Sequence, residues 1–316
     1  MVLTHPGCGG HPFVTAGTNI VRSQSRIISS NGVYIEHLRI PVGAGAVHVE
    51  RVGRGGPPVV LLHGFGTCAF LWRAVAPHLA NAGFTVLAFD LMGYGESDRP
   101  TDAGYGIVAQ AEYVDRALTA LRLPRALVVG QDIGAIVALQ LAARRPERVD
   151  RLLLINPPNP ADLPGSSIRA AQRAAARIAL GVHGYFVTAQ ALTPFLRDSV
   201  ADPNHMPDLL VARYMAPFVG GDGLSHLLLL ARSLELEDED ALQLRSVRAP
   251  VLIALGQKDM SGDRTMVNEM AAELSGADDP PRIVMVPDAG SLIAEDVPQE
   301  LARIIRDWIN VSAVPA

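Results

Sequence analysis

Short apolar runs rich in β-branched residues recur along this chain, with helical spacings between them, and that alternation constrains the fold more than any other feature. The runs are Pro58–Leu62, Thr85–Asp90, Ala126–Val129, Val149–Ile155, Pro250–Leu255 and Arg282–Val286. Their apolarity is continuous, which suits strands covered on both faces of a sheet. Helical spacings fall at Leu71–Ala82, Ile107–Leu121, Ile133–Ala143, Arg264–Leu274 and Pro298–Val311. The pattern predicts a mostly parallel sheet flanked by helices. Ahead of it, Val33–Ile40 and Ala46–Val52 alternate apolar and polar residues, as an antiparallel hairpin does.

The alternation breaks between about Asn159 and Arg248. Ser167–Leu180, Leu209–Phe218 and Leu224–Leu234 read as helices, Leu234–Leu242 as a solvated helix face, and no strand is evident. The expected organisation is therefore an N-terminal extension over 1–30, the first part of an α/β core over 31–158, a helical cap over 159–248, and the second part of the core over 249–316.

With 316 residues, 49% of them hydrophobic, the chain can bury one large α/β core. A net charge of −5 argues against a nucleic-acid partner. The apolar runs are far shorter than the ~20 residues a bilayer requires, so no membrane partner is expected. Cys8 and Cys68 form no disulfide framework, and the N-terminus lacks the pattern of a secretory signal; a reducing cytoplasm is the expected setting. His5 and His11 flank Cys8, but three such residues in a Gly- and Ser-rich tail are a weak case for a metal. No other cluster of His, Cys and carboxylates falls at ligand spacing and no phosphate-binding loop is present, so neither metal nor cofactor is expected.

Gly130-Gln131-Asp132-Ile133-Gly134 joins the strand Ala126–Val129 to the helix Ile133–Ala143. This is the G-x-nucleophile-x-G pattern of a nucleophile elbow, in which a strained turn lifts the central side chain clear of the sheet. His63-Gly64-Phe65-Gly66, Asp90-Leu91-Met92-Gly93-Tyr94-Gly95-Glu96-Ser97-Asp98, Gly256-Gln257-Lys258-Asp259 and Pro287-Asp288-Ala289-Gly290-Ser291 also fall at strand C-termini, where doubly wound sheets place their ligands. The amides of Phe65 and Ile133 are placed to form an oxyanion site beside Gly64.

This ordered set of motifs resembles the α/β-hydrolase superfamily over about residues 33–312. The resemblance implies an eight-stranded, mostly parallel sheet with an inserted helical cap. An aspartate in the elbow is similar to the epoxide hydrolase, haloalkane dehalogenase and fluoroacetate dehalogenase branches. Their mechanism implies carboxylate attack on carbon by Asp132, with Asp259 as the acid that would support a histidine. The histidine slot, registered by the downstream Glu295-Asp296-Val297-Pro298, holds Ser291.

Near pH 7 a serine hydroxyl cannot act as a base unless another group takes its proton. Either position 291 has been altered, or His226 or His205 from the cap substitutes, or Asp132 is a general acid or base and no ester forms. Phe65 and Ile133 lack the side-chain N–H groups that dehalogenases direct at a halide, and Ile133 is no cationic carboxylate binder. Gly66 stands where epoxide hydrolases carry proline. Tyr185 and Tyr214 are the cap tyrosines available to polarise a substrate, Leu292 should line the pocket with Phe65 and Ile133, and Gln131 should hydrogen-bond behind the nucleophile. His63 reads as a structural histidine bonding its own loop. Desolvation would raise the Asp132 pKa, while two amides and the helix start would lower it.

The expected partner is a small, largely apolar organic substrate, with a homodimer as the one assembly considered. The family default is hydrolysis through an aspartyl ester. A cyclase, isomerase or lyase using Asp132 for proton transfer, and an inactive small-molecule binding protein, are the alternatives.

Overall fold

The computed structural model describes residues 20–27, 33–165, 168–169, 193–220, 222–234, 242–259, 264–274 and 280–310. Tyr185, Cys8, His5, His11 and all but residues 168–169 of the helix expected over Ser167–Leu180 lie outside them.

A nine-stranded sheet organises the chain: β1 (Val21–Ile27), β2 (Tyr34–Pro41), β3 (Ala46–Val52), β4 (Pro58–Leu62), β5 (Thr85–Phe89), β6 (Ala126–Gln131), β7 (Val149–Ile155), β8 (Val251–Gly256) and β9 (Arg282–Val286). Their order across the sheet is β1-β2-β3-β5-β4-β6-β7-β8-β9. The β1–β2, β2–β3 and β3–β5 pairings are antiparallel, and every pairing from β5 to β9 is parallel. The expected eight strands are present, and β1 adds a ninth at the edge. It falls inside the stretch read as an extension, because Ser, Gln and Arg in VRSQSRI hide its strand character.

The chain leaves β4 toward β5 on one side and later returns to β6 on the other. That reversal opens a crevice above the C-terminal ends of β4 and β6. The first crossover carries α1 (Ala76–Asn81) and the second α2 (Ile107–Ala120), with α3 (Ile133–Arg144) following β6. Helix α2 packs on α3, and α1 packs on the C-terminal helix, so helices cover both faces. Every residue from Ile133 to Ala142 is buried, as a helix that is apolar all round requires.

The expected helix over Leu71–Ala82 is instead a 3₁₀ segment, Ala69–Ala74, followed by α1. Pro77 is the cause: it has no N–H to donate to Arg73, so the helix restarts with proline in its first turn. Between β7 and β8 the described residues contribute helices and no strand, chiefly α4 (Asp208–Met215) and α5 (Gly223–Arg232). The chain then adds α6 (Arg264–Leu274), the short α7 (Ile293–Asp296) and α8 (Pro298–Asn310). Helix α8 buries Leu301, Ile304, Ile305 and Trp308 at helical spacing.

Leu153 in β7 is fully buried between two parallel neighbours. Truncation by Leu153→Ala should cost about 3 kcal/mol through lost burial and a residual cavity. The urea midpoint should fall with the m-value unchanged; an unaltered midpoint would place the core elsewhere.

Candidate active site

Strand β6 ends at Gln131 and α3 begins at Ile133, so Asp132 alone makes the turn, at φ 52° and ψ −125°. Positive φ is strained for a residue with a Cβ, and surrounding contacts must enforce it. The flanking glycines allow this. A Cβ on Gly130 would lie 2.2 Å from the Gly134 carbonyl oxygen, and one on Gly134 would lie 2.5 Å from the carbonyl oxygens of Leu62 and His63. Asp132 N–H donates to Ile155 O at 3.0 Å, tying the turn to β7.

The loop after β4 closes over the carboxyl. A Cβ on Gly64 would lie 2.9 Å from Asp132 Oδ2, so only glycine admits the approach. The Phe65 amide donates to Oδ2 at 2.9 Å, and the Ile133 amide also hydrogen-bonds the carboxyl. The amides of Phe65 and Ile133 are thus both turned to the Asp132 carboxyl. Asp132 is deeply surrounded yet keeps partial solvent accessibility. Burial raises its pKa, the Phe65 and Ile133 amides pull it down, and the Asp259 charge pushes it up, leaving it at about 6. Desolvation wins against the amides, but the carboxyl is still mostly ionised at pH 7.

Ser291 Oγ donates to Asp259 Oδ1 at 2.7 Å. The two residues expected to lie together at the ends of β8 and β9 are thus in contact. Asn156, just past β7, positions the Ser291 loop. Its Nδ2 donates to the carbonyl oxygens of Gly290 and Ser291 at 3.2 and 2.9 Å, and its Oδ1 accepts from Gly256 N–H at 2.9 Å. Asp296 holds the same loop from below, accepting from the amides of Gly290 and Ala201 and lying 2.6 Å from His205 Nδ1. These positioning residues escaped the sequence reading. The Asn156-Pro157-Pro158 stop after β7 and the Glu295-Asp296 pair were their only signals.

Other expected site residues are occupied elsewhere. His226 Nε2 donates to Gly93 O at 2.7 Å, and the ring packs on Tyr105 and Phe218. Its pKa is lowered by burial. Neither His226 nor His205 is hydrogen-bonded to Asp132. The Tyr214 hydroxyl donates to Glu295, which Arg73 grips through two nitrogens at 2.6 and 2.7 Å, so this tyrosine locks α4 to the core. Gln131 is a correction of another kind. Strand β6 is buried throughout, and the Gln131 amide is buried with no hydrogen-bond partner among the described residues. Leu292 is buried at the start of α7, its N–H donating to Ser199 O at 2.8 Å. His63 bonds its own loop: Nδ1 donates to Gly64 O and Nε2 accepts from Leu91 N–H. The sequence assigned no chemistry to Tyr94. Its buried hydroxyl has no hydrogen-bond partner among the described residues and lies within electrostatic reach of Asp132.

The profile of a family described as alpha/beta hydrolase fold matches residues 57–295. A haloalkane dehalogenase of Mycobacterium marinum is 39% identical over 110 residues, which are 34% of this chain and 37% of that protein. Bifunctional epoxide hydrolase 2 of Rattus norvegicus is 35% identical over 142 residues, 43% of this chain and 26% of that protein. The chain thus spans only about a third of the length of these relatives in alignment. Among solved structures, Cfl2 from Burkholderia cenocepacia superposes with a TM-score of 0.75 at 28% identity, covering 90% of this chain and 99% of that one. Haloalkane dehalogenase DbeA from Bradyrhizobium elkani gives 0.69 at 25% identity, covering 92% and 98%.

A raised carboxyl pKa is a stability statement. Below about pH 4 the group is protonated in folded and unfolded chains alike, and its contribution is fully present. As pH rises through about 6 the folded state must ionise a buried group, and stability is lost. Asp132→Asn should therefore gain on the wild type by about 2 kcal/mol between pH 4 and pH 8 in thermal denaturation. A difference constant across that range would assign Asp132 an ordinary pKa.

Proposed function

The chain belongs to the α/β hydrolase fold family, and on that premise we propose that Asp132 attacks an electrophilic carbon of a small, largely apolar organic molecule, with slow release of the resulting ester. The observation that carries this reading is the Phe65 amide on Asp132 Oδ2. With Oδ2 held, Oδ1 is the oxygen that attacks. A bond forms from Oδ1 to carbon as the carbon–halogen bond breaks and halide departs, or as an epoxide C–O bond breaks and the alkoxide takes a proton from water. Oδ2 becomes the ester carbonyl oxygen, already seated against the donors that would stabilise its negative charge during hydrolysis. The helices between β7 and β8 are, on this reading, a cap over the recess. Phe65 and Ile133 offer no side-chain donor to a halide, which favours an epoxide.

Hydrolysis of the ester needs a base for water, and a positioned base contributes about 10²–10⁴-fold. The Ser291 hydroxyl donates its hydrogen bond to Asp259 and is no base for water near neutral pH. The ester on Asp132 should therefore accumulate.

A second reading has support in the Asp132 pKa of about 6, which suits proton transfer near neutral pH. On that reading the protein is a non-hydrolytic cyclase, isomerase or lyase.

Incubation with styrene oxide or 1-bromobutane, followed by intact-mass measurement, should show one covalent adduct that peptide mapping assigns to Asp132. Its rate should fall as pH drops below about 6, because the carboxylate is the nucleophile. Asp132→Asn should give no adduct, and Ser291→His should turn over at least about 10²-fold faster than the wild type. If no adduct forms at any pH, yet Asp132→Asn abolishes conversion of a substrate, the second reading replaces the first.

A further inference from the structure

A group of metal-ligand side chains assembles away from Asp132, on the antiparallel part of the sheet. His48 and Glu50 are two residues apart on β3 and share one face. His37 on β2 is the direct cross-strand partner of Glu50. One ligand atom from each of the three lies within 4.8 Å of the others. Strands β5 and β4 separate β3 from β6, which ends at the elbow.

His37 Nδ1 and His48 Nε2 are 3.0 Å apart, and their rings stack with centroids 5.3 Å apart. Tetrahedral zinc with Zn–N bonds of about 2.0–2.1 Å separates two ligand nitrogens by about 3.3 Å. His48 Nδ1 lies 2.7 Å from Asp90 Oδ2. Donation to that carboxylate leaves a lone pair on Nε2, facing His37 and Glu50. Asp90 is itself fixed by the amides of Ala69 and Glu96, at 2.6 and 2.9 Å. A buried carboxylate that fixes the tautomer of an imidazole is how proteins prepare a histidine for a metal. Glu96 Oε2 lies 3.9 Å from His48 Nε2 on an exposed side chain able to swing inward.

A direct hydrogen bond between the histidines would explain the 3.0 Å contact alone. It would leave Glu50 half-buried with no hydrogen bond or ion pair among the described residues. A cation bound by all three accounts for both. We propose that His37, His48 and Glu50 bind a divalent transition-metal ion of the zinc type, with Asp90 orienting His48 and Glu96 or water completing the shell. Two imidazoles and a carboxylate suit zinc, cobalt, nickel or copper, and exclude preferential magnesium or calcium binding. Sequence spacing concealed the site because its ligands come from two strands and meet only in the sheet register.

The test uses tag-free, full-length protein freed of metal by chelator, in a Cys8→Ser, His5→Gln, His11→Gln background that removes the tail's ligands. Calorimetry with Zn²⁺ should show one site. His37→Gln and Glu50→Gln should each weaken it at least about tenfold, the scale seen even for outer-shell changes. Both leave the His48–Asp90 pair intact, and unchanged thermal midpoints without metal would show that they fold. Co²⁺ should give the visible d–d bands of tetrahedral nitrogen and oxygen ligation. Copper-loaded protein without substitutions in the site should show hyperfine coupling to two imidazoles by electron paramagnetic resonance. Absence of binding, affinity indifferent to both variants, or coupling to no imidazole would each overturn the proposal.

Discussion

A carboxyl group pressed against the Phe65 amide, at the apex of a turn with positive φ, is the contact on which the rest of the site depends. The turn closes only because Gly130 and Gly134 have no side chains, and the amide reaches the carboxyl only because Gly64 has none. All three positions bring backbone from β4 and β6 together where the strand order reverses. The sheet topology thus creates the crevice, the glycines allow the backbone into it, and the amides fix one oxygen of Asp132. The environment sets the chemistry: burial raises the pKa, two N–H groups oppose it, and the group is left ionised near neutrality.

Asp259, whose charge reaches Asp132, is hydrogen-bonded by Ser291 on a loop that several side chains hold in place. Asn156 binds the backbone on both sides of Ser291 as well as the end of β8. Asp296 secures Gly290, and Glu295 joins Arg73 to Tyr214 on α4. Ser291 then donates to Asp259. On the proposed reading, Ser291 supplies no atom that accepts a proton from water.

The strands were the most legible part of the chain. Pro58–Leu62 and Val149–Ile155 coincide with β4 and β7, since parallel strands inside the sheet announce themselves as apolar runs; Arg282–Val286 coincides with β9, which is apolar although it is an edge strand with Ile283 and Met285 exposed. Polar edge strands do not, and β1 was hidden for that reason. The placement of Asp132 beside the amides of Phe65 and Ile133, and of Ser291 against Asp259, was legible because each follows a strand in a tight motif. Tyr214 and His226 illustrate the limit. Their positions between β7 and β8 made them candidates, but a side chain's partner is a tertiary fact, and Glu295 and Gly93 claim them. Gln131 was expected to find a partner, and its burial in β6 left none among the described residues. The His37–His48–Glu50 group was invisible for the same reason: cross-strand register is not written in linear spacing.

The protonation of the Asp132 carboxyl decides its chemistry, and infrared difference titration reads it directly. Subtracting Asp132→Asn spectra from those of wild type across pH 4–8 isolates the carbonyl stretch of protonated Asp132. The account predicts a band that disappears with a midpoint of about 6. A midpoint at or below the ordinary aspartate value of about 4 would contradict it, since the carboxyl would then be solvated and free of the buried elbow.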